Sequence, residues 1–267
     1  MLRRLGVVDF TSTAMLGRQQ LHPARSELPD GTIPDGFEWT PWKDYADNLF
    51  HRLGALKVVS YDNSDYEGAT YVHDFNTPLP EKHRALYTLV YDGGTIEHIL
   101  DARQVIANHN ALLRDGGHLI VHSQCNGEPG HGFYQLSPEF FYSTLAPNNG
   151  FEDTRVFLVD FTTGRWHLVV PPAALGERNT IPNRRFDVLC ISRKSRTVSK
   201  IQAQQSDYQA TWDAATIVRP RRKKRFRFPW QDKGYLRFLD QAPIFSPETA
   251  TANLFGGKEI HTDRPTP

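Results

Sequence analysis

The chain is predicted to be an α/β protein, with a Rossmann-like, mostly parallel seven-stranded sheet and an antiparallel edge strand. Three observations carry this. Short apolar runs alternate with stretches of helical periodicity, which implies βαβ units. Successive strands end on acidic or glycine residues, at Asp62, Asp74 and Asp92-Gly-Gly94. The last two strands follow one another without an intervening helix, which allows an antiparallel strand at the edge.

Taken in order, residues 11–16 read as the first strand, with Gly17-Arg18-Gln19 as its turn. Residues 22–42 are rich in Pro and Gly and read as an inserted loop. Residues 41–53 read as a helix with Thr40 as N-cap and Pro41 in its first turn. Tyr45, Leu49, Phe50 and Leu53 share one face, and Gly54 ends it. Residues 57–61 form the second strand and stop at Asp62. Residues 70–73 form the third and stop at Asp74-Phe75-Asn76. Residues 87–91 form the fourth, ending at Asp92-Gly93-Gly94. Residues 101–114 carry the stripe Val105, Ile106, His109, Leu112, Leu113, closed by Asp115-Gly-Gly117. Residues 118–121 are the fifth strand. A helix follows with Ser137 as N-cap and Pro138 in its first turn. Residues 152–159 and 186–192 give the sixth and seventh strands. Their long connection, 160–185, exceeds an ordinary turn and implies elaboration.

Composition sets the class. The 267 residues are 39% hydrophobic and 23% charged, and no apolar run approaches the roughly 20 residues that span a bilayer. The basic start lacks the apolar core of a signal peptide. Cys125 and Cys190 lie far apart in sequence, as expected of free thiols in a cytoplasmic chain. Net charge is +1, yet residues 195–267 hold 13 basic and 7 acidic residues, so a tail of +6 follows a body of about −5. That asymmetry places a boundary near Lys194, with a Rossmann domain over 1–194 and a basic, aromatic-rich C-terminal extension over 195–267. The densest run is Arg219-Pro-Arg-Arg-Lys-Lys-Arg-Phe-Arg-Phe-Pro-Trp230. Its aromatics, continued by Tyr235, Phe238 and Phe245, favour an arm docked on the body or on a second copy in a homo-oligomer, over a nucleic-acid-binding tail.

In such a sheet a ligand lies outside the carboxyl ends of the strands. Asp62, after the second strand, is placed to accept from ribose hydroxyls. Asp74 and Phe75, after the third, suit an adenine. Gly17 lets backbone approach a ligand, although a nucleotide loop usually has two or three glycines. Each acidic residue alone reads first as a helix cap or a solvated loop carboxylate; their order along the sheet gives the pattern meaning. No cluster has the ligand spacing of a dedicated metal site.

The motifs Leu16-Gly-Arg-Gln19, Ser64-Asp-Tyr-Glu-Gly-Ala69, His73-Asp-Phe-Asn-Thr-Pro78, Asp92-Gly-Gly-Thr-Ile-Glu-His98 and Gly130-His-Gly-Phe-Tyr-Gln-Leu-Ser-Pro-Glu139 together resemble the class I S-adenosylmethionine-dependent methyltransferases over about residues 11–194. Within them the chain is similar to bacterial proteins associated with carbohydrate or natural-product biosynthesis. The resemblance implies S-adenosyl-L-methionine as cofactor, held by Gly17, Arg18, Gln19, Asp62, Asp74, Phe75, Asp92 and Gly93. It implies methyl transfer to a hydroxyl of a small-molecule or saccharide acceptor. His98 is the first candidate base and His131 the second. Glu97, Tyr134 and Gln135 are the candidate acceptor contacts. A nucleic-acid methyltransferase using the basic tail and a non-catalytic Rossmann-like module remain the alternatives. The second is suggested by Gly17-Arg18-Gln19 in place of a glycine-rich loop.

Overall fold

The structure is a computed structural model that describes residues 7–22, 35–160, 163–175, 179, 181, 183–206, 208, 212 and 244–245. Its strands are β1 (Ser12–Leu16), β2 (Lys57–Asp62), β3 (Tyr71–Val72), β4 (Tyr87–Asp92), β5 (Leu113–Asn126), β6 (Phe151–Asp160), β7 (Trp166–Leu168), β8 (Phe186–Lys194) and β9 (Ile244–Phe245). They form one sheet in the order β3-β2-β1-β4-β5-β8-β6-β7-β9. From β3 to β5 every pairing is parallel; β8 then runs antiparallel between β5 and β6. Strands β3-β2-β1-β4-β5, an inserted antiparallel strand and β6 make the expected Rossmann-like arrangement. The antiparallel part is larger than one strand, because β7 and β9 extend the sheet beyond β6.

Alternation of side chains across the pleat explains the two-sided burial. Ala14, Leu16, Val90, Leu119, Val121, Val188 and Cys190 join one core with Val105, Ile106 and Leu112 of α2 (Ala102–Leu112) and Phe141 of α3 (Pro138–Thr144). Met15, Leu89, Ile120 and Ile191, each next in sequence to one of these, pack on the other face with Phe50 of α1 (Asp47–Arg52). Full burial of a side chain such as Phe141 contributes about 1.5–3 kcal/mol. Ser137 caps α3 as expected, accepting from Phe140 N, and Asp101, expected as the first residue of its helix, is instead the cap of α2, accepting from Gln104 N.

Three elements differ most in their bounds. The helix expected over 41–53 spans only Asp47–Arg52, because Trp42 adopts φ 61° and 40–44 close into a turn on the Thr40 carbonyl. Thr40 is therefore not its N-cap. The helix expected over 101–114 stops at Leu112, and Asp115-Gly-Gly117 does not close it. Leu113 already pairs with Tyr87, and 114–117 bulge outward before regular pairing resumes at Leu89↔His118. The Lys194 ammonium, buried, holds this junction through the Leu113 carbonyl at 2.6 Å. The fifth strand reaches Asn126 rather than Val121, and its last residues lead into the loop above the site. The connection over 160–185 is elaborated, as its length implied, by β7 and the short α4 (Pro172–Leu175).

Past Lys194 the chain continues to pack on the body. Ile201 is buried, Gln202 N donates to Asn149 Oδ1 at 2.8 Å, and Ser206 donates to Glu139. The basic run 219–230 lies outside the described residues.

Candidate functional site

The carboxyl ends of β1, β2 and β4 meet at one notch. Gly17 N donates to the Tyr61 carbonyl at 2.8 Å, which sets the turn after β1 beside Asp62. Gly17 has φ 68°, and a Cβ there would lie 2.7 Å from Thr95 Oγ1. Only glycine fits without strain. Thr95 Oγ1 donates to the Leu16 carbonyl at 2.7 Å, tying the turn after β4 to the end of β1. Asp62 is half-buried at the tip of β2, and its carboxylate accepts from Asn63 N at 2.7 Å.

The other cofactor candidates are more occupied than the sequence implied. Asp92 is wholly buried: Oδ1 accepts from Thr95 N and Ile96 N, and Oδ2 from His109 Nε2 at 3.0 Å. Its carboxylate holds the turn after β4 and is not offered to a ligand. Phe75 is also a core residue, packed edge-on against Tyr61. Exposed Asp74 accepts from Asn76 N and Nδ2, and these bonds hold its carboxyl below the usual range. Arg18 spans outward, donating to the Glu67 and Gly68 carbonyls, pairing with Asp47 and covering the Tyr45 ring. Gln19 fills the notch itself. Its Nε2 donates to the Leu16 carbonyl at 2.7 Å, and its Cδ and Oε1 would lie 2.9 Å from a Cβ added at Gly93.

Beyond the turn after β4, a short 3-10 helix (Ile96–His98) presents Glu97 and His98. The loop after β5 folds over it. Phe133 N donates to the Glu97 carbonyl at 2.7 Å, and Gly132 passes so close, at φ 67°, that a Cβ would sit 2.7 Å from that same oxygen. This brings His131 Nε2 to 3.1 Å from His98 Nε2. The two candidate bases, 33 residues apart, are therefore one pair. Burial and then the neighbouring His131 lower the His98 pKa, which favours its neutral, proton-accepting form. Glu97 lies beneath them with its side chain 2% exposed, accepting from Ser123 Oγ at 2.9 Å. Burial raises its carboxyl above the ordinary value.

Tyr134 and Gln135 do not point jointly at this pair. Tyr134 donates to the Leu100 carbonyl at 2.6 Å, and Gln135 accepts from Glu128 N. The expectation of no metal-ligating cluster needs correction, since Glu97, His98 and His131 bring ligand atoms within 4.8 Å of one another. Sequence spacing missed it because His131 arrives through the loop's contacts with Glu97. Ser123 and Thr95 were missed as well: Ser123 lies in no motif, and nothing within Asp92–His98 marks the Thr95 hydroxyl as the tie to β1. Both cysteines are free and buried, and burial pushes the Cys125 thiol up to about 12, so neither offers a thiolate.

No family model matches the chain, and no curated protein sequence does. Solved structures resemble it at low identity. One is a SAM-dependent methyltransferase from Archaeoglobus fulgidus, with TM-score 0.42 and 11% identity, covering 72% of this chain and 91% of its own. Another, from Thermotoga maritima, is described as a possible histamine N-methyltransferase: TM-score 0.38, 15% identity, 68% and 82% covered. A third is the citrinin polyketide synthase CMeT domain, with TM-score 0.40 and 11% identity, covering 69% of this chain and 46% of that one. Likenesses this distant bear no weight on function; the fold assignment rests on the strand order. Among the described residues no helix is long and apolar enough to cross a membrane.

Proposed function

We propose that this protein transfers a methyl group from S-adenosyl-L-methionine to a hydroxyl of a sugar or natural product. The observation that carries the reading is the notch where Gly17, Asp62 and the turn after β4 converge, with His98, paired with His131, on the 3-10 helix that follows that turn. Asp62 would accept from the ribose hydroxyls. The sulfonium is an activated donor, so alignment of the acceptor oxygen with the methyl carbon supplies much of the acceleration. His98 then takes the acceptor proton at Nε2, with His131 able to share it. The oxygen forms the new bond to carbon, and the sulfur keeps the electrons of the broken bond as a thioether.

A non-catalytic module is the second reading, favoured by Gln19 lying in the notch. Calorimetric titration of the full chain with S-adenosylmethionine separates the two. Micromolar or tighter binding, weakened in Asp62→Ala, supports the first; no heat at millimolar cofactor rules it out. With an acceptor in hand, His98→Ala should slow single-turnover chemistry by about 10²–10⁴ while leaving cofactor affinity unchanged.

A further inference from the structure

We propose that Glu97, His98 and His131 form a three-ligand site for a divalent transition ion of the zinc type, open to one further oxygen ligand. Two imidazole nitrogens and one carboxylate are an established donor set for catalytic zinc, which keeps a fourth position free. Nε2 of His98 and Nε2 of His131 face one another at 3.1 Å. Two imidazoles on one tetrahedral zinc, with Zn–N near 2.0–2.1 Å, stand about 3.3–3.4 Å apart. His131 Nε2 lies 4.0 Å from Glu97 Oε1 and the three ligand atoms lie within 4.8 Å of one another, so closing the triad needs shifts of about 1–1.5 Å, taken up by the two exposed imidazoles.

The supports are built in. Glu97, nearly inaccessible, is oriented by the Ser123 hydroxyl on β5, as an outer partner orients a metal-bound carboxylate. The two loop segments are locked by Phe133 N on the Glu97 carbonyl and by the close pass of Gly132. The exposed histidines over the buried Glu97 leave the ion's open side toward solvent.

The use of the ion in catalysis rests on the methyl-transfer reading; its binding does not. An acceptor hydroxyl in the open position becomes a stronger acid. Its proton leaves to water, its oxygen bonds to the methyl carbon, and the methyl–sulfur electron pair stays on sulfur. His98 cannot both ligate at Nε2 and accept a proton there, so metal-bound enzyme needs no histidine base.

The test titrates cobalt(II) into the full chain after chelator treatment, following its visible ligand-field absorption, with zinc(II) as competitor. Wild type should bind one equivalent with the intense bands of a four- or five-coordinate site. His131→Ala, at an exposed position, and Glu97→Gln, which keeps the shape, should each weaken binding by at least about 100-fold, beyond the 10–100-fold typical of losing an outer partner. Failure of folded wild type to bind, as expected if the histidines merely share a proton, would overturn the proposal. So would equal affinity in wild type and both variants. S-adenosylmethionine calorimetry on the same samples separates the readings: cobalt binding without cofactor binding sinks methyl transfer and keeps the metal site, and the converse sinks only the metal.

Discussion

Replacing Asp92 tests whether the turn that presents Glu97 and His98 depends on one buried carboxylate. In Asp92→Ala three donors, one part-buried and two buried, lose their acceptor: Thr95 N at 2.8 Å, Ile96 N at 3.3 Å and His109 Nε2 at 3.0 Å. Both side chains of the Asp92–His109 pair are 0% exposed, so water cannot substitute without opening the core. Each orphaned group costs about 1–3 kcal/mol, and breaking buried pairs costs about 3–5 kcal/mol. With the longer Ile96 bond counted as weak, the loss should be about 3–5 kcal/mol, a large part of the roughly 5–15 kcal/mol that stabilises a domain. Asp92→Asn is different. Its carbonyl still accepts from the two backbone donors, and its amide can donate to His109 if that ring reverses its tautomer. His109 Nδ1 has no partner among the described residues, so the reversal only exchanges an idle acceptor for an idle donor. The asparagine variant should lose about 1–2 kcal/mol. Urea unfolding followed by far-UV circular dichroism measures both, with equal m-values as the control. An alanine variant within 1 kcal/mol of wild type would refute the reasoning, and so would an asparagine variant as unstable as the alanine one.

Asp62→Ala should weaken S-adenosylmethionine binding by about 1.5–3 kcal/mol, the scale of hydrogen bonds to a charged group, with unchanged thermal stability; calorimetry giving wild-type affinity would remove Asp62 from the site. Gly132→Ala forces a side chain to φ 67° and against the Glu97 carbonyl, so it should displace His131 and lower cobalt(II) affinity at least about tenfold; wild-type affinity would show that the loop does not set the pair. Burial holds the Lys194 ammonium below the ordinary lysine pKa of 10.5. Between its folded pKa and 10.5 the unfolded chain binds more protons, so this group makes stability rise with pH across that window. The stability of Lys194→Met relative to wild type should therefore fall as pH approaches 10.5 in chemical denaturation series, and a flat difference would contradict the depressed pKa.

What the sequence made legible was periodic or punctuated. The α2 stripe, the Ser137-Pro138 start of α3 and the strand ends at Asp62 and Asp92 all follow from local chemistry. The late start of the helix expected at 41–53 did not, because Trp42 takes a positive φ that its residue type does not favour. Nor did the position of β8 between β5 and β6, which is decided by long-range pairing such as Val121↔Cys190 rather than by either strand's pattern. At the site, motif spacing located Gly17, Asp62 and His98 but said nothing of side-chain direction. Asp92 and Phe75 turn inward, while His131 arrives from 33 residues away through backbone contacts that leave no sequence periodicity.

The carboxamide of Gln19 gives the notch a gate. Any ligand entering between the ends of β1 and β4 must first expel it from the Leu16 carbonyl and from Thr95 Oγ1, 3.4 Å away. If each of those bonds is worth a net 0.5–1.5 kcal/mol, at the usual rough scale, the open form is a minor species, and observed affinity is the intrinsic affinity reduced by its population. A weak apparent dissociation constant would then report the resting state of one side chain rather than a poorly formed site. Association would be slowed for the same reason, while the rate of release from the opened notch would be left alone.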